Sequence, residues 1–462
     1  MLTIYHIRIT GQQRYLELRL SVQCNITMHE KVMYLADKMD AIVVGAGLAG
    51  CASAYLLAKS GLNVMLIERA SRPGEKNVSG GLLLSSSLHT LIPNFWEHAP
   101  IERVITGFKI SLLHRRRSTT IDYREPALST PPFNGFSVLR SKFDYWLSKQ
   151  AEEVGVNLIP GIRVDTPILK DGKVVGIHAG DEEIEADVVI AADGVNSKMA
   201  IGAGLREDFT PSQVALGVKE VIGLPRDVIE DRFGLVDTEG VAHLFLGSTR
   251  GNPGGGFLYT NLDSISLGSV IHLSAFRKNM AKAKDSADYL KTNPLVTRLI
   301  QGGQLLEYSA HLVPEAGYRG LSTFYTDGML VTGDAAGFVL NLGFSFEGMN
   351  LAIESGILAA KTVIEAKQRG DFSKASLKRY QKMLEASYVI RNFKTFKNLP
   401  DLLTNPRIQT QYPWLINSIL SDLYRSRTEA RPRLMQMMMC KVLSGISLPH
   451  LLVDMLQAVR SI

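Results

Sequence analysis

At 462 residues, with 45% hydrophobic and 21% charged residues, the chain has an ordinary globular composition and the length of two or three domains rather than one simple core. Its three cysteines, Cys24, Cys51 and Cys440, are too few and too scattered for a disulfide framework or an iron–sulfur cluster, and they fit a reducing compartment. The net charge of +6 is mild, no nucleic-acid module is recognisable, and the densest basic run, Arg115-Arg116-Arg117, reads as a solvated turn or strand end in preference to a docking patch for an acidic partner.

Residues 1–38 show neither the apolar core of a secretory signal nor a glycine-rich or catalytic pattern. Met39 directly precedes the first strong strand signal. Translation is therefore expected to start there, with residues 1–38 an artefact or a poorly ordered tail. From Asp40 to Glu68 the chain reads DAIVVGAGLAGCASAYLLAKSGLNVMLIE. The apolar run Ala41–Val44 predicts a buried parallel strand. It ends in the G-x-G-x-x-G turn Gly45-Ala46-Gly47-Leu48-Ala49-Gly50. A helical pattern through Leu48, Ala52, Tyr55, Leu56 and Ala58 stops at Gly61, and Val64–Ile67 forms a second strand. Each part suits a dinucleotide. Gly45 allows the tight turn, Gly47 lets backbone approach a pyrophosphate, and Gly50 lets the helix pack on the sheet. The helix N-terminus offers N–H groups and partial positive charge. Glu68, eighteen positions after Gly50, is placed to accept ribose hydroxyls.

Residues 69–81, rich in Gly, Ser and Pro, form a loop after the acid-bearing strand, so Ser79, Gly80 and Gly81 are expected close to the bound cofactor. Strand-like alternation follows over 104–125, and Phe136–Trp146 leads into a helix with Arg140 just before its start. Asn157–Ile159, Val174–His178 and Glu182–Glu185 read as short strands, with Asp171-Gly172 a hairpin turn. Asp187–Ala192 is a buried strand ending in Asp193-Gly194. Residues 205–310 carry many β-type segments, with Gly251–Gly256 expected as a flexible loop among them. Met329–Thr332 is a short strand running into Gly333-Asp334, and Gly348-Met349-Asn350 opens a long amphipathic helix through Lys361. Asp334 is placed to accept a ribose or ribityl hydroxyl, and that helix start to face developing negative charge on a flavin. Residues 370–462 are helical by pattern. Leu434–Leu456 is methionine-rich but is interrupted by Lys441, His450 and Asp454, so it is no clean spanning helix; core packing, a partner interface and membrane contact all remain open.

The three separated segments at Gly45, Asp193 and Gly333 together resemble the FAD-binding fold of the p-hydroxybenzoate hydroxylase and glutathione reductase superfamily. The resemblance implies a mixed α/β fold: a discontinuous Rossmann-like FAD-binding domain with an inserted, mostly antiparallel substrate-domain sheet and a helical C-terminal region. The expected boundaries are 39–104, 136–204 and 312–365 for the FAD-binding domain, 105–135 and 205–311 for the substrate or quinone-type domain, and 366–462 for the helical region. Within the superfamily the chain is most similar to the electron transfer flavoprotein–quinone oxidoreductase family, on its FixC branch. The motifs that carry this are GEKNVSGG at 74–81, ADGVNS at 192–197, GDAAG at 333–337 and GMNLAIESG at 348–356.

That resemblance implies a relay in which FAD exchanges electrons with an electron transfer flavoprotein and with a quinone or a ferredoxin-like protein. By position, Gly45, Ala46, Gly47, Gly50, Glu68 and Arg69 would hold the ADP half. Ser79, Gly80, Gly81, Arg140, Val164, Asp193, Gly194, Gly333 and Asp334 would lie along the rest of the cofactor, and Gly348, Met349 and Asn350 would face the isoalloxazine. No catalytic acid or base and no metal ligand set stands out, and His243, His272 and His311 read as structural. Longer family members carry a four-cysteine cluster domain at the C-terminal end. Here Cys440 stands alone, so a separate ferredoxin-like iron–sulfur protein is an expected partner. The cytoplasm is the expected location, with a peripheral or quinone contact at the cytoplasmic membrane face left open. Rival readings are an aromatic monooxygenase, a geranylgeranyl-reductase-like enzyme and a protein that only stores FAD. Against the first, Gly337 replaces the His that usually follows Gly-Asp-Ala-Ala, and no proline lies between Asp334 and Asn350.

Overall fold

The apolar run ahead of the glycines forms β1 (Met39–Val44), followed by α1 (Leu48–Lys59) and β2 (Val64–Glu68). The structure is a computed structural model that describes residues 39–77, 81–279, 284–428 and 430–461. The expectations for residues 1–38, Ser79 and Gly80 lie outside the described residues. Next come β3 (Gly81–Leu84), β4 (Ile101–His114), β5 (Arg117–Arg124) and β6 (Gly135–Val138), then α2 (Arg140–Glu153), which begins on Arg140 itself. Strands β7 (Asn157–Pro160), β8 (Thr166–Lys170), β9 (Lys173–Ala179) and β10 (Glu182–Ala191) precede the Asp193-Gly194 turn. The β8–β9 hairpin turns at Asp171 and Gly172, both with positive φ, the pairing that a two-residue hairpin of this hand needs. Longer strands follow: β11 (Val214–Gly223), β12 (Glu239–Leu246), β13 (Gly254–Thr260), β14 (Ser264–His272) and β15 (Gln304–Pro314). Then β16 (Tyr325–Thr326), β17 (Met329–Val331), β18 (Leu340–Asn341) and β19 (Phe346–Glu347) lead into α3 (Met349–Arg369), which runs past Lys361. The remainder is helical and ends in α4 (Leu434–Gly445) and α5 (Leu448–Ser461).

The strands form two large sheets. The first has the order β16-β17-β10-β1-β2-β7, with the β8–β9 hairpin added beside β10. β7, β2, β1, β10 and β17 are all parallel, so their C-terminal ends share one edge. These strands are continuous apolar runs because both faces are covered: Ile42, Val43, Leu66, Val189, Ile190 and Leu330 are all fully buried. α1 and α3 pack so closely that a Cβ at Gly356 would sit 2.3 Å from the Ala49 carbonyl oxygen.

The second sheet has nine strands in the order β15-β11-β14-β13-β12-β4-β6-β3, with β5 paired on β4. It is antiparallel except for the parallel β4–β12 pair. β3 and the start of β4 pair here although they fall within 39–104. One expectation is corrected: Gly254–Gly256 are not loop but the first residues of β13, in register with Ile271, Val270 and Ser269. Glycine carries no hydrophobic period, so the strand was invisible in the pattern. Gly254 is required there, since a Cβ would lie 2.0 Å from the Val270 carbonyl oxygen.

The methionine-rich stretch is two helices meeting at 97°, and among the described residues no single helix is long and apolar enough to cross a membrane. Met437 is buried, whereas Met435, Met439, Leu452 and Leu456 are exposed. Asp454, which breaks the apolar run, anchors α5. Its carboxylate accepts from Asn405 Nδ2 at 2.8 Å, Arg407 Nε at 2.6 Å and Tyr412 Oη at 2.7 Å. The Arg407 guanidinium holds it down at about 2.

Candidate functional site

The C-terminal ends of β1, β2, β10 and β17 open onto one cavity of about 520 Å³. Parallel α/β sheets bind ligands at this edge, because the strands end there and loops and helix N-termini take over. Gly45, Gly47, Glu68, Arg69, Gly81, Arg140, Val164, Asp193, Gly194, Gly333, Asp334, Gly348 and Met349 all line it. Gly81 and Met349 are adjacent in its wall, a Cβ on the glycine falling 3.1 Å from the Met349 sulfur. Ala46, Gly50 and Asn350 stand behind it. Ala46 is buried, Gly50 packs on the turn, and Asn350 donates to Glu347 Oε2 at 2.9 Å.

The three glycines of the first turn act differently. Gly45 has φ +101°, and a Cβ there would sit 2.4 Å from the Ala192 carbonyl oxygen. A Cβ at Gly50 would sit 1.8 Å from the Gly45 oxygen, so this glycine sets the helix against the turn. A Cβ at Gly47 would meet nothing within 4 Å, yet Gly47 lines the cavity, so the space it leaves belongs to a ligand. Glu68 accepts the Ala46 N–H at 2.9 Å on Oε2 and the Ala70 N–H at 2.8 Å on Oε1. The backbone thus fixes the carboxylate while each oxygen keeps a lone pair for a hydroxyl.

Asp193 accepts the Met199 N–H at 3.0 Å on Oδ2, while Oδ1 is buried with no protein partner. Burial pushes its carboxyl up to about 6, and does the same to Asp334 against the pull of Arg140. Two carboxyl groups in this state call for hydroxyl donors. Arg140 is gripped in a fork by Asp144, at 2.7 Å for both Nε–Oδ1 and the second contact to Oδ2, and Asn77 also donates to that carboxylate. Burial works against the Arg140 charge and Asp144 outweighs it.

Sequence reasoning missed the support beneath the Gly333 turn. Ser355 of α3 accepts the Gly333 N–H at 3.1 Å and the Thr332 hydroxyl at 2.7 Å, and donates to the Ala352 carbonyl at 2.9 Å. Tyr380 donates to the Val331 carbonyl at 3.1 Å. The spacing of Ser355 within the α3 motif was the available signal. Sequence reasoning also missed the opposite wall, which comes from the second sheet. Lys219, Phe257, Tyr259, His272, His311 and Glu315 line it. Burial brings the Lys219 amine down to about 7, helped by Arg140. Burial, with the charges of Arg140, Arg69 and Lys219, brings His311 down to about 4. His272 Nε2 lies 3.2 Å from Glu315 Oε2; burial opposes its charge, and the carboxylate prevails to raise its pKa. His243 is different: buried, 2.7 Å from Ser111 Oγ and driven down to about 3 by burial, it is part of the packing.

Residues 40–205 match the family described as FAD dependent oxidoreductase, and residues 399–462 match the ETF-QO/FixC family C-terminal domain. The chain is 48% identical over 389 residues to Protein FixC of Escherichia coli strain K12, an alignment spanning 84% of this chain and 91% of that one. It belongs to the electron transfer flavoprotein–quinone oxidoreductase/FixC family. With the same coverage it is 46% identical to the probable electron transfer flavoprotein-quinone oxidoreductase YdiS of the same strain. To Protein FixC of Azotobacter vinelandii it is 39% identical, over 85% of this chain and 91% of that one.

Among solved structures, a geranylgeranyl bacteriochlorophyll reductase-like protein from Thermoplasma acidophilum superposes with a TM-score of 0.67 at 21% identity, over 89% of this chain and 97% of that one. The myxobacterial FAD-dependent chondrochloren halogenase CndH gives 0.62 at 17% identity, over 88% and 97%. These two likenesses establish the fold alone. The protein is an FAD-dependent oxidoreductase of electron transfer. The cavity fits that cofactor: open space over Gly47 for the pyrophosphate, an anchored Glu68, and an orphaned buried oxygen on Asp193.

Proposed function

We propose that the protein relays electrons from an electron transfer flavoprotein to a quinone or to a separate ferredoxin-like iron–sulfur protein. The observation that carries this is the cavity itself, with a dinucleotide wall on the parallel sheet and a second wall of apolar and basic side chains on the antiparallel sheet. Bound FAD supplies the two-electron chemistry, and the chain supplies position and electrostatics. Gly47 and the N-terminus of α1 would take the pyrophosphate, Glu68 the ribose hydroxyls, and Asp334 a ribityl hydroxyl. The N-terminus of the 21-residue α3 favours the negative charge that arises on reduction. The name of the Escherichia coli relative supports the flavoprotein and quinone partners. The lone exposed Cys440 in the matched C-terminal segment supports a cluster carried on another chain.

For location, the reading is cytoplasmic with α4 and α5 against the membrane face. Exposed Met435, Leu452 and Leu456 support it, with Arg433 and Arg460 beside them for acidic lipid headgroups. Flotation with acidic vesicles tests this, and failure to co-float would remove it. The relay is tested by anaerobic stopped-flow mixing of the FAD-loaded protein. Reduced electron transfer flavoprotein should bleach the flavin's visible band and a soluble quinone or an oxidised ferredoxin should restore it, while NADPH alone should do neither. Exchange with none of these partners, or rapid reduction by NADPH alone, would overturn the reading.

A further inference from the structure

The wall formed by the second sheet has a construction that a dinucleotide does not require. Alternate residues of an antiparallel sheet share a face. The register sets Gly217 opposite Val270 and His311, and Lys219 opposite Gly268 and Ser309. Lys219 and His311 are therefore diagonal neighbours on the cavity face. Phe257 lies opposite Gly268, and its ring crosses that glycine: a Cβ there would be 2.2 Å from the Phe257 Cζ. Lys219 Nζ is 5.5 Å from the centre of the same ring. The result is a flat apolar shelf with a buried amine at its edge, Lys219 being only 5% exposed while lining the cavity.

We propose that Lys219 is the proton donor to a carbonyl-bearing acceptor, a quinone, reduced against this shelf; the proposal rests on the relay reading above. The balance requires such a group. A quinone becomes a hydroquinone by taking two electrons and two protons. Anionic reduced flavin, FADH⁻, carries two electrons and one proton, so one proton must come from elsewhere. The Lys219 ammonium supplies it: an N–H bond breaks, an O–H bond forms on the acceptor's carbonyl oxygen, and water returns the proton to the amine before the next turnover.

The neighbouring groups do not compete for the role. Arg140, at the start of α2, is locked to Asp144 and keeps its proton. His311 on β15 is held neutral by burial and by the charges of Arg140, Arg69 and Lys219, so it has no spare proton to give. His272 on β14 lies 3.2 Å from Glu315 Oε2; burial opposes its charge, but the carboxylate raises its pKa and so holds its proton within that pair. Tyr259 on β13 is held protonated by burial. Glu307 on β15 draws Lys219 toward its charged form, while burial and Arg140 push the other way and leave it near 7, where it both gives and regains a proton.

The test uses the FAD-loaded protein and its K219M and K219R variants, each reoxidised by a short-chain quinone and by ferricenium, which takes one electron and no proton. In the wild type the quinone rate is expected to fall as pH rises through about 7, and the ferricenium rate to be flat. In K219M and in K219R, which keeps the charge but not the labile proton, the quinone-to-ferricenium rate ratio should drop by roughly a hundredfold and the pH limb should vanish. An equilibrium measurement stands beside it. Binding of 2-hydroxy-1,4-naphthoquinone, an anion at neutral pH, should weaken through the same pH range in the wild type and not in K219M. A variant that keeps the limb, or that slows both acceptors equally, overturns the proposal. A wild type that reduces ferricenium but no quinone overturns the quinone reading, and the proposal with it.

Discussion

The two walls of the cavity are made from opposite materials. On the parallel-sheet wall the decisive positions are those without side chains: Gly45, Gly47 and Gly50 shape the space, and backbone N–H groups orient Glu68. On the antiparallel wall the decisive positions are side chains, Lys219, Phe257 and His311, aimed by strand alternation. A backbone site depends on a few consecutive residues and tolerates almost no change in them. A side-chain wall depends on residues far apart in the chain, brought together only by strand pairing, and it is the part whose chemistry can differ while the dinucleotide turn stays the same.

The largest effect expected on this contrast is within one turn. Gly50→Val places a side chain where even a Cβ would be 1.8 Å from the Gly45 oxygen, so α1 must move off the sheet. The loss should exceed about 4 kcal/mol, read as failure to recover folded, FAD-loaded protein. Gly47→Ala should separate fold from ligand. With nothing within 4 Å of its Cβ, the FAD-free protein should melt within about 0.5 kcal/mol of wild type, while FAD affinity falls at least about tenfold by fluorescence titration. Wild-type affinity in Gly47→Ala would show that the pyrophosphate does not rest on this turn.

Smaller is the effect of Ser355→Ala. It strips the Gly333 N–H and the Thr332 hydroxyl of their shared acceptor, both buried, at about 1–3 kcal/mol in urea unfolding. FAD affinity should weaken too, because Asp334 is carried by the same turn. Unchanged affinity would separate the turn's support from the cofactor.

The same contrast explains what could be read without the structure. The β1–α1–β2 unit was legible because strand, turn, helix and acid follow one another within a few residues, each with its own local rule. The strand ends at Asp193 and Gly333 were legible as apolar runs that stop on an acid beside a glycine. Nothing comparable announces the other wall. Alternation tells that Lys219 and His311 lie on a face, not that β11 and β15 are neighbours or that this face meets the cofactor edge of the other sheet. His311 and His272 therefore passed for structural residues, as His243 is. The labile proton of Lys219 was equally hidden, since it arises from burial beside Arg140, a residue 79 positions earlier in the chain. The glycines of β13 misled for a related reason: a strand made of residues without side chains has no period to detect. Asp454 looked like an interruption of an apolar run because its partners Asn405, Arg407 and Tyr412 lie in other helices.

The last effect expected is a pair of pH slopes with opposite signs, measured on the FAD-free protein. Asp334 has its carboxyl raised from 3.8 to about 6 in the folded state, so between those values the native protein holds more protons than the unfolded chain. Its contribution is complete below pH 3.8 and is lost as pH rises through 6. Asp334→Asn should therefore gain on wild type in melting temperature across that window and hold the gain above it. Lys219 has its amine lowered from 10.5 to about 7, so between those values it is the unfolded chain that holds more protons. Wild type gains stability with rising pH there, and the advantage of Lys219→Met should be greatest below pH 7 and shrink toward pH 10.5. Saturating FAD should flatten the Asp334 slope, because a ribityl hydroxyl donating to the carboxylate favours its ionised form. It should leave the Lys219 slope in place, because that wall waits for the acceptor rather than the cofactor. Loss of both slopes on adding FAD would mean that the cofactor reaches Lys219 as well, and the division of the cavity into two walls with two ligands would fail.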